Sequence, residues 1–356
     1  HRRYAPHERL TGSHRVIESL RHSPSVITSL VLAAGIASVT TGDALLLLQE
    51  PPAPAETGDP TIESPTDSGF RVVEWKASGG YVHEFSTDLS GGGSVSVDRG
   101  FAAFKAGFEV DSELSGSFGL AWGGDWYDFD GTSELSPTPD SAPWSDVQAI
   151  SLNGRVTSKG IFGLTDSRWS ATVGLDLRAA GEHRARPGDS LTFGGLAAVS
   201  YAFNRRLSLG AGALVSTQIE DSILIIPALV VYWQVTDTVL ISNVLGPEVY
   251  PTGAGIEAAW RPDATRELAI GTRYESRRFR LDDDGPIARR NGVGEDTGFP
   301  LWARATWRLE NGIRLDLVGG VSLFNTYRLD DSNGNQLAET DLDPAPFIAA
   351  FMSWKF

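Results

Sequence analysis

Few side chains in this sequence could do covalent chemistry, and those few are poorly placed for it. Beyond residue 70 the histidines are His83 and His183, and the 356 residues include no cysteine. A disulfide framework, thiolate metal ligation and a cysteine nucleophile are thereby excluded. Nucleophilic hydrolysis needs a serine, a base and an orienting acid within reach of one another, and water activation needs a paired acid and base. Neither His83 nor His183, which stands in Glu182-His183-Arg184, has a serine and an acid spaced to serve it. No catalytic residue, no enzyme activity and no cofactor is expected. The run Asp330-Asp331-Ser332-Asn333-Gly334-Asn335 is rich in oxygen ligands. Its glycine is out of step with a calcium loop and no bidentate glutamate follows in register, which leaves a solvated turn and no metal site.

The remaining chemistry is electrostatic, and it has a period. Charged and polar residues recur at every second position in Arg273, Glu275 and Arg277, in Arg304, Thr306 and Arg308, and in Arg314 and Asp316. That spacing puts them on one face of a β-strand, because successive side chains point to opposite sides. The intervening residues are apolar: Leu301, Ala303, Ala305, Trp307 and Leu309 in one segment, Ile313, Leu315 and Leu317 in the next. The chain ends on the same pattern, with Ile348, Ala350, Met352, Trp354 and Phe356 forming one wholly apolar face. From Phe70 onward the alternation recurs and no segment has a helical period. It predicts about fourteen strands, near 72–84, 101–110, 113–123, 147–157, 168–179, 190–204, 206–218, 223–234, 238–245, 253–261, 266–278, 300–309, 312–326 and 347–356, with twelve as the competing count.

Alternation alone suits a soluble sandwich as well as a membrane barrel. Connection lengths and aromatic placement decide between them. Long links at 85–100, 124–146, 180–189, 279–299 and 327–346 largely alternate with tight ones at 111–113, 204–206, 236–238 and 310–312, as expected of a barrel with both termini on one side; the outer link near 219–222 is short and the inner one at 158–167 is long. The residues flanking each tight turn, Val110 with Leu114, Phe203 with Leu207, Val235 with Val239 and Leu309 with Ile313, are apolar on matching faces. Trp75, Trp169, Phe203, Trp233, Trp260, Trp307 and Trp354 fall near one end of their strands, and Tyr81, Trp122, Tyr274 and Tyr327 near the other, which predicts two interfacial girdles. The expected fold is all-β, a closed antiparallel transmembrane β-barrel over residues 70–356. A mean hydropathy of -0.13 agrees, since only alternate residues face lipid. Pro227 lacks the N–H that a closed sheet uses, so a bulge is expected there. Ahead of the barrel, five arginines precede the apolar stretch from Val26 to Val39, which is too short to span a membrane; residues 1–44 read as an export signal and 45–69 as a polar, Pro-rich tether. The net charge of -15 argues against a nucleic-acid partner.

In such a barrel the charged faces line the lumen. With Glu310-Asn311-Gly312 as a three-residue turn, Arg308 faces Arg314, Thr306 faces Asp316, and Arg304 lies higher on the same face. Together with Arg273, Glu275 and Arg277 they form a candidate lumen charge strip, and Glu257 and Arg261 line the strand before. Opposed arginines repel unless an acid or a bound anion lies between them. A mixed-charge lumen that cross-links its own wall and an electropositive strip that biases anion permeation both remain open.

The C-terminal run Pro346-Phe347-Ile348-Ala349-Ala350-Phe351-Met352-Ser353-Trp354-Lys355-Phe356 resembles the assembly signal of outer-membrane proteins, with Trp354 and Phe356 at its key positions. The resemblance implies a bacterial outer-membrane location, the barrel-assembly machinery as a partner, and surrounding lipids and lipopolysaccharide. Ile225-Ile226-Pro227-Ala228-Leu229 through Trp233, followed by Gly246-Pro247-Glu248-Val249-Tyr250, resembles a family of outer-membrane barrels classed as a domain of unknown function, over roughly residues 70–356. It implies no catalytic or binding residue. The expected function is porin-like passive or facilitated passage of small solutes. The alternatives are transport of hydrophobic compounds, which calls for a gap in the wall, and a structural or adhesion role for the aromatic-acidic segment around Trp126, Tyr127 and Phe129. Asp282, Asp283 and Asp284 keep an outer loop soluble or share divalent ions with lipopolysaccharide.

Overall fold

The computed structural model describes residues 70–136, 142–160, 167–243, 254–284, 286–287 and 289–356. The expected export signal, the tether, most of the 158–167 link and residues 244–253 lie outside that set. The alternating segments form β1 (Arg71–Asp88), β2 (Ser94–Glu109), β3 (Leu114–Asp130), β4 (Asp146–Lys159), β5 (Trp169–Glu182), β6 (Leu191–Asn204), β7 (Leu207–Gln218), β8 (Asp221–Gln234), β9 (Val239–Ser242), β10 (Ala254–Trp260), β11 (Arg266–Arg280), β12 (Val293–Arg308), β13 (Ile313–Asp330), β14 (Gln336–Leu342) and β15 (Ala345–Lys355). Each strand from β1 to β13 pairs antiparallel with the next, β13 also pairs with β15, and β15 pairs with β1. Fourteen strands thus close a ring. β14, unforeseen in the sequence, stands outside it as a partner for the outer end of β13.

The oily faces point outward. Leu175, Ile225, Ile270, Leu317 and Ile348 are all more than half exposed, as are Phe118 and Leu120. A water-soluble protein would hide such a continuous apolar belt, and lipid covers it here. Trp75, Trp233, Trp260, Trp307 and Trp354 stand exposed at the inner ends of their strands, where indole rings prefer the headgroup level. The closed sheet with its greasy side out is an outer-membrane β-barrel in a lipid environment.

Three of the four tight turns form as expected, with Val110 N–H donating to Leu114 O at 2.9 Å, Val235 to Val239 at 2.9 Å and Leu309 to Ile313 at 2.7 Å. In the last, Asn311 and Gly312 hold φ of 67° and 75°; a Cβ on Gly312 would lie 2.4 Å from Lys355 O. The fourth differs. Asn204 pairs with Leu207 across a two-residue turn and Phe203 is squeezed out as a bulge.

Three further expectations are corrected. No bulge occurs at Pro227, which pairs with Ala213 in an unbroken β7–β8 register. β9 reaches only Tyr232, Trp233 and Gln234 of β8. Beyond them Asn243 caps the edge: its N–H donates to Val231 O at 3.2 Å, its side-chain oxygen accepts from Val231 N–H at 2.7 Å, and its amide donates to Leu229 O. Odd-numbered residues of β8 therefore aim their backbone away from β7, and Pro227 sits where, among the described residues, no strand asks for its N–H. Tyr327 belongs to the interior and not to the outer girdle, because Phe324, with φ of 53°, forms a bulge that flips the facing of the last turns of β13. Trp126, Tyr127 and Phe129 lie in β3 and not in a loop, with Tyr127 and Phe129 turned inward.

Candidate functional site

The lumen is the one surface where the chemistry gathers, and its two halves differ. Towards the periplasm, inward positions on β1–β3 and β6–β7 carry small residues that keep partial solvent access: Ser78, Ala103, Ala121, Ser200, Ala202 and Ser208. Towards the outside, opposite walls meet. Arg99 of β2 reaches Asp296 of β12 at 2.8 Å, and Tyr127 of β3 donates to the same carboxylate at 2.9 Å. Neither strand neighbours β12, so these bonds cross the lumen. Arg99 also pairs with Glu84 at 3.0 Å and Asp125 at 3.2 Å, while Arg277 of β11 joins Glu275 at 2.5 Å and Asp296 at 3.4 Å. Buried charges survive in a low-dielectric interior only when paired this densely.

An aromatic layer lies above this cluster. Trp144, 2 % exposed, descends from the segment after β3 and meets Tyr127, Phe129, Phe279 and Tyr327, with ring centroids 5.4–5.9 Å apart. Mostly edge-to-face and tilted contacts of this kind pack a core tightly. Higher still, Arg280 of β11 forms a backbone bridge with Gly181 of β5 across the mouth and donates to Asp189 O and Glu220. Arg278 holds Glu295 at 2.8 Å and Asp330 at 2.7 Å. The outer half is therefore filled by side chains.

A second ionic cluster occupies the wall of β10–β13. Arg304 binds Glu257, Glu267 at 2.8 Å and Asp316 at 3.1 Å; all four side chains are nearly inaccessible. Arg308 reaches Glu267 at 2.6 Å and Arg314 reaches Asp316 at 2.9 Å. Arg308 does face Arg314 and Thr306 does face Asp316 in the β12–β13 register. The acids between the arginines relieve their repulsion. Arg273 lies with its guanidinium 5.0 Å from the Trp302 ring. The strip residues so fall into two groups, Glu275 and Arg277 in the outer cluster and Arg304, Arg308, Arg314 and Asp316 in the inner one. Glu257 is inward by its own strand's alternation; Glu267 meets β12 through the β11–β12 register, which alternation leaves free, and Arg99 reaches Asp296 only because the ring closes.

The other candidates are plainer. His83 faces outward and its Nδ1 lies 2.7 Å from Asp98, which also accepts from Tyr81; no serine joins them. His183 is exposed in a loop. Asp331 accepts backbone N–H bonds from Asn333 at 2.8 Å and Asn335 at 2.9 Å, and the Asn335 amide donates to it as well. Chiefly that amide bond holds its carboxyl below the ordinary aspartate range, as befits a capped turn. Asp283 and Asp284 pair with Arg186 and Arg184. Trp354 and Phe356 close the strand ring: Trp75 and Phe356 exchange backbone bonds at 2.9 and 3.1 Å, and the Trp354 indole donates to Asn311 O at 3.1 Å.

No protein-family model matches the sequence, and no curated protein does. The likeness to a barrel family of unknown function therefore rests on the quoted residues alone. Among solved structures, the chain is similar to an outer-membrane channel from Pseudomonas putida F1 at 10% identity and TM-score 0.43, over 83% of this chain and 100% of that one. It is similar to the P. putida toluene transporter TodX at 10% identity and TM-score 0.39, over 90% and 95%, and to the porin NanC at 9% and 0.30, over 79% and 100%. The fold of this chain rests on its own strand ring and outward apolar belt.

Proposed function

We propose that the protein is an outer-membrane channel for small solutes whose outer passage is held shut by side chains at rest. The observation that carries this reading is the pair of bonds from Arg99 and Tyr127 to Asp296, which span a lumen whose periplasmic half is lined by small residues. Side chains can part while the strand ladder stays intact, so closure of this kind is reversible at modest cost. Conductance of the refolded barrel in planar bilayers tests it: brief, infrequent openings are expected in the native protein. Tyr127→Phe and Asp296→Asn should each lengthen the openings. Absence of any conductance in all three proteins removes the channel reading. By the same reading, residues 1–44 direct export, 45–69 tether the barrel, and Trp354 and Phe356 are read by the barrel-assembly machinery in a membrane bearing lipopolysaccharide.

One observation favours a hydrophobic solute as the second reading. β8 is apolar on both faces, with Leu224, Ile226, Ala228 and Val230 inward and Ile223, Ile225 and Leu229 outward, and its edge beyond Val231 lacks a strand partner among the described residues. An apolar inner wall beside an edge with no strand partner among the described residues suits a molecule that leaves sideways into lipid. Faster uptake of an apolar fluorescent probe than of a sugar of similar size by cells expressing the protein would support it, and equal or slower uptake would count against it.

A further inference from the structure

The two sides of the outer mouth meet at one carboxylate. Glu182 ends β5, beside the Gly181 that bridges to Arg280 of β11. One of its oxygens accepts the Ser145 N–H at 3.1 Å, and the other accepts the Asp282 N–H at 2.8 Å. Ser145 follows Trp144 ahead of β4 and Asp282 follows Leu281 after β11, and both of those side chains lie deep in the packed cluster around the aromatic layer. One side chain thus fastens two anchors that belong to strands far apart in the ring. Bonds from N–H groups to a carboxylate are charge-assisted and stronger than neutral ones. The short stretch before β4 has two further holds, the Tyr127 N–H on Ser145 O at 2.9 Å and the Arg289 guanidinium on Ala142 O. The Trp144 indole is held differently. Its N–H is buried with no hydrogen-bond partner among the described residues, whereas a buried indole usually finds one. That donor carries a desolvation cost in the seated position, and the cost disappears when the ring reaches water.

We propose that Glu182 is the pin of a stopper: by holding Ser145 and Asp282 it seats Trp144 in the outer mouth, and release of that carboxylate, followed by withdrawal of the indole, is the opening step of the passage. The inference rests on the channel reading for this consequence and names the regulation of that same passage. The fastening itself is independent of conduction. Trp144 lies above the bonds from Arg99 and Tyr127 to Asp296, so a solute arriving from outside reaches them only after the indole has left. The strand ladder takes no part in the movement, which keeps it within the reach of a side-chain rearrangement.

Hydrogen exchange of the full-length barrel in neutral detergent, followed by mass spectrometry, tests the pin. In Glu182→Ala the peptides covering 144–147 and 281–284 should both exchange about tenfold faster than in the native protein. Faster exchange in one of them alone, or in neither, overturns a shared pin. Retention of the heat-modifiable band on gels confirms that the variant is folded, and Glu182→Gln, which keeps the length of the side chain and one acceptor, should give a smaller rise in both peptides and serves if the alanine variant does not fold. Conductance in planar bilayers tests the stopper. Glu182→Ala and Trp144→Ala should each lengthen the openings about tenfold, and the double variant should stay open no longer than the longer of the two, because both changes act on one step. Additive lengthening, or unchanged openings in either single variant, overturns the stopper. The two readings fail separately. A barrel that is silent in every variant, with faster exchange at both peptides in Glu182→Ala, keeps the pin and loses the channel, whereas one that conducts, with exchange unaltered by that substitution, keeps the channel and loses the pin.

Discussion

Arg304 is the hub of the inner charge cluster, and its surroundings decide what its removal does. Three carboxylates, Glu257, Glu267 and Asp316, converge on it from β10, β11 and β13. Arg304→Met leaves them facing one another in the barrel wall, with Glu267 still held by Arg308 and Arg261 and Asp316 by Arg314. The expected loss is about 3–5 kcal/mol, the range for stripping one partner from a buried ionic group, read as a lowered urea midpoint for the barrel folded into lipid vesicles. Arg314→Met should cost far less, because its side chain is partly exposed and Arg304 still holds Asp316. The sequence makes the Arg308–Arg314 confrontation legible, since both flank one short turn. Half of what relieves it is legible too, since Asp316 lies two positions from Arg314 on the same face. Glu267, which holds Arg308, stands on another strand, and which residue of a neighbouring strand meets which depends on register, a long-range quantity that alternation leaves free.

The same limit explains β8 and β13. Their strand character is plain from period two, and so is the outward set on each, but a single inserted residue reverses every facing after it. Phe324 does this in β13, which carries Tyr327 into the aromatic layer, and nothing about phenylalanine announces a positive φ. Pro227 is the opposite case, a residue whose chemistry does speak. It demands an unused N–H position, and the stretch of β8 that has no strand partner among the described residues supplies one without a bulge. Ladder parity then gives a sharp expectation. Pro227→Ala should change stability by less than about 1 kcal/mol, since no ladder bond is gained or lost. Ile226→Pro, one position away, removes a donor to β7 and should cost about 3 kcal/mol or more. Thermal unfolding on gels, scored by the loss of the fast-migrating folded band, distinguishes the two. Equal effects would mean that the edge of β8 is paired after all.

At the scale of the whole molecule, closing the ring is the costly event. Twelve of the fourteen neighbour pairings in the ring join strands consecutive in sequence, and β13–β15 spans only the β14 hairpin. The seam between β1 and β15 joins residues nearly 280 positions apart, as in Lys76 with Lys355. Pairing at such separation carries a loop-closure cost before any bond repays it, so the last strand should pair last, and whatever strengthens its inner end should govern how often the ring shuts. Phe356 is that end. Its backbone exchanges two bonds with Trp75, and its ring packs 4.7 Å from Trp354 on the lipid face. Deleting Phe356 removes both bonds and exposes the end of the seam. The finished barrel should lose about 1–3 kcal/mol from two net hydrogen bonds and part of an aromatic contact. The larger effect should fall on assembly. In cells the truncated chain should accumulate unfolded, while refolding into vesicles slows yet reaches nearly the native yield. Trp354→Ala, which keeps the backbone bonds and removes the larger ring, separates the ladder from the side chain. If it assembles normally while the deletion does not, the terminal backbone bonds or the Phe356 ring, and not the indole, close the barrel.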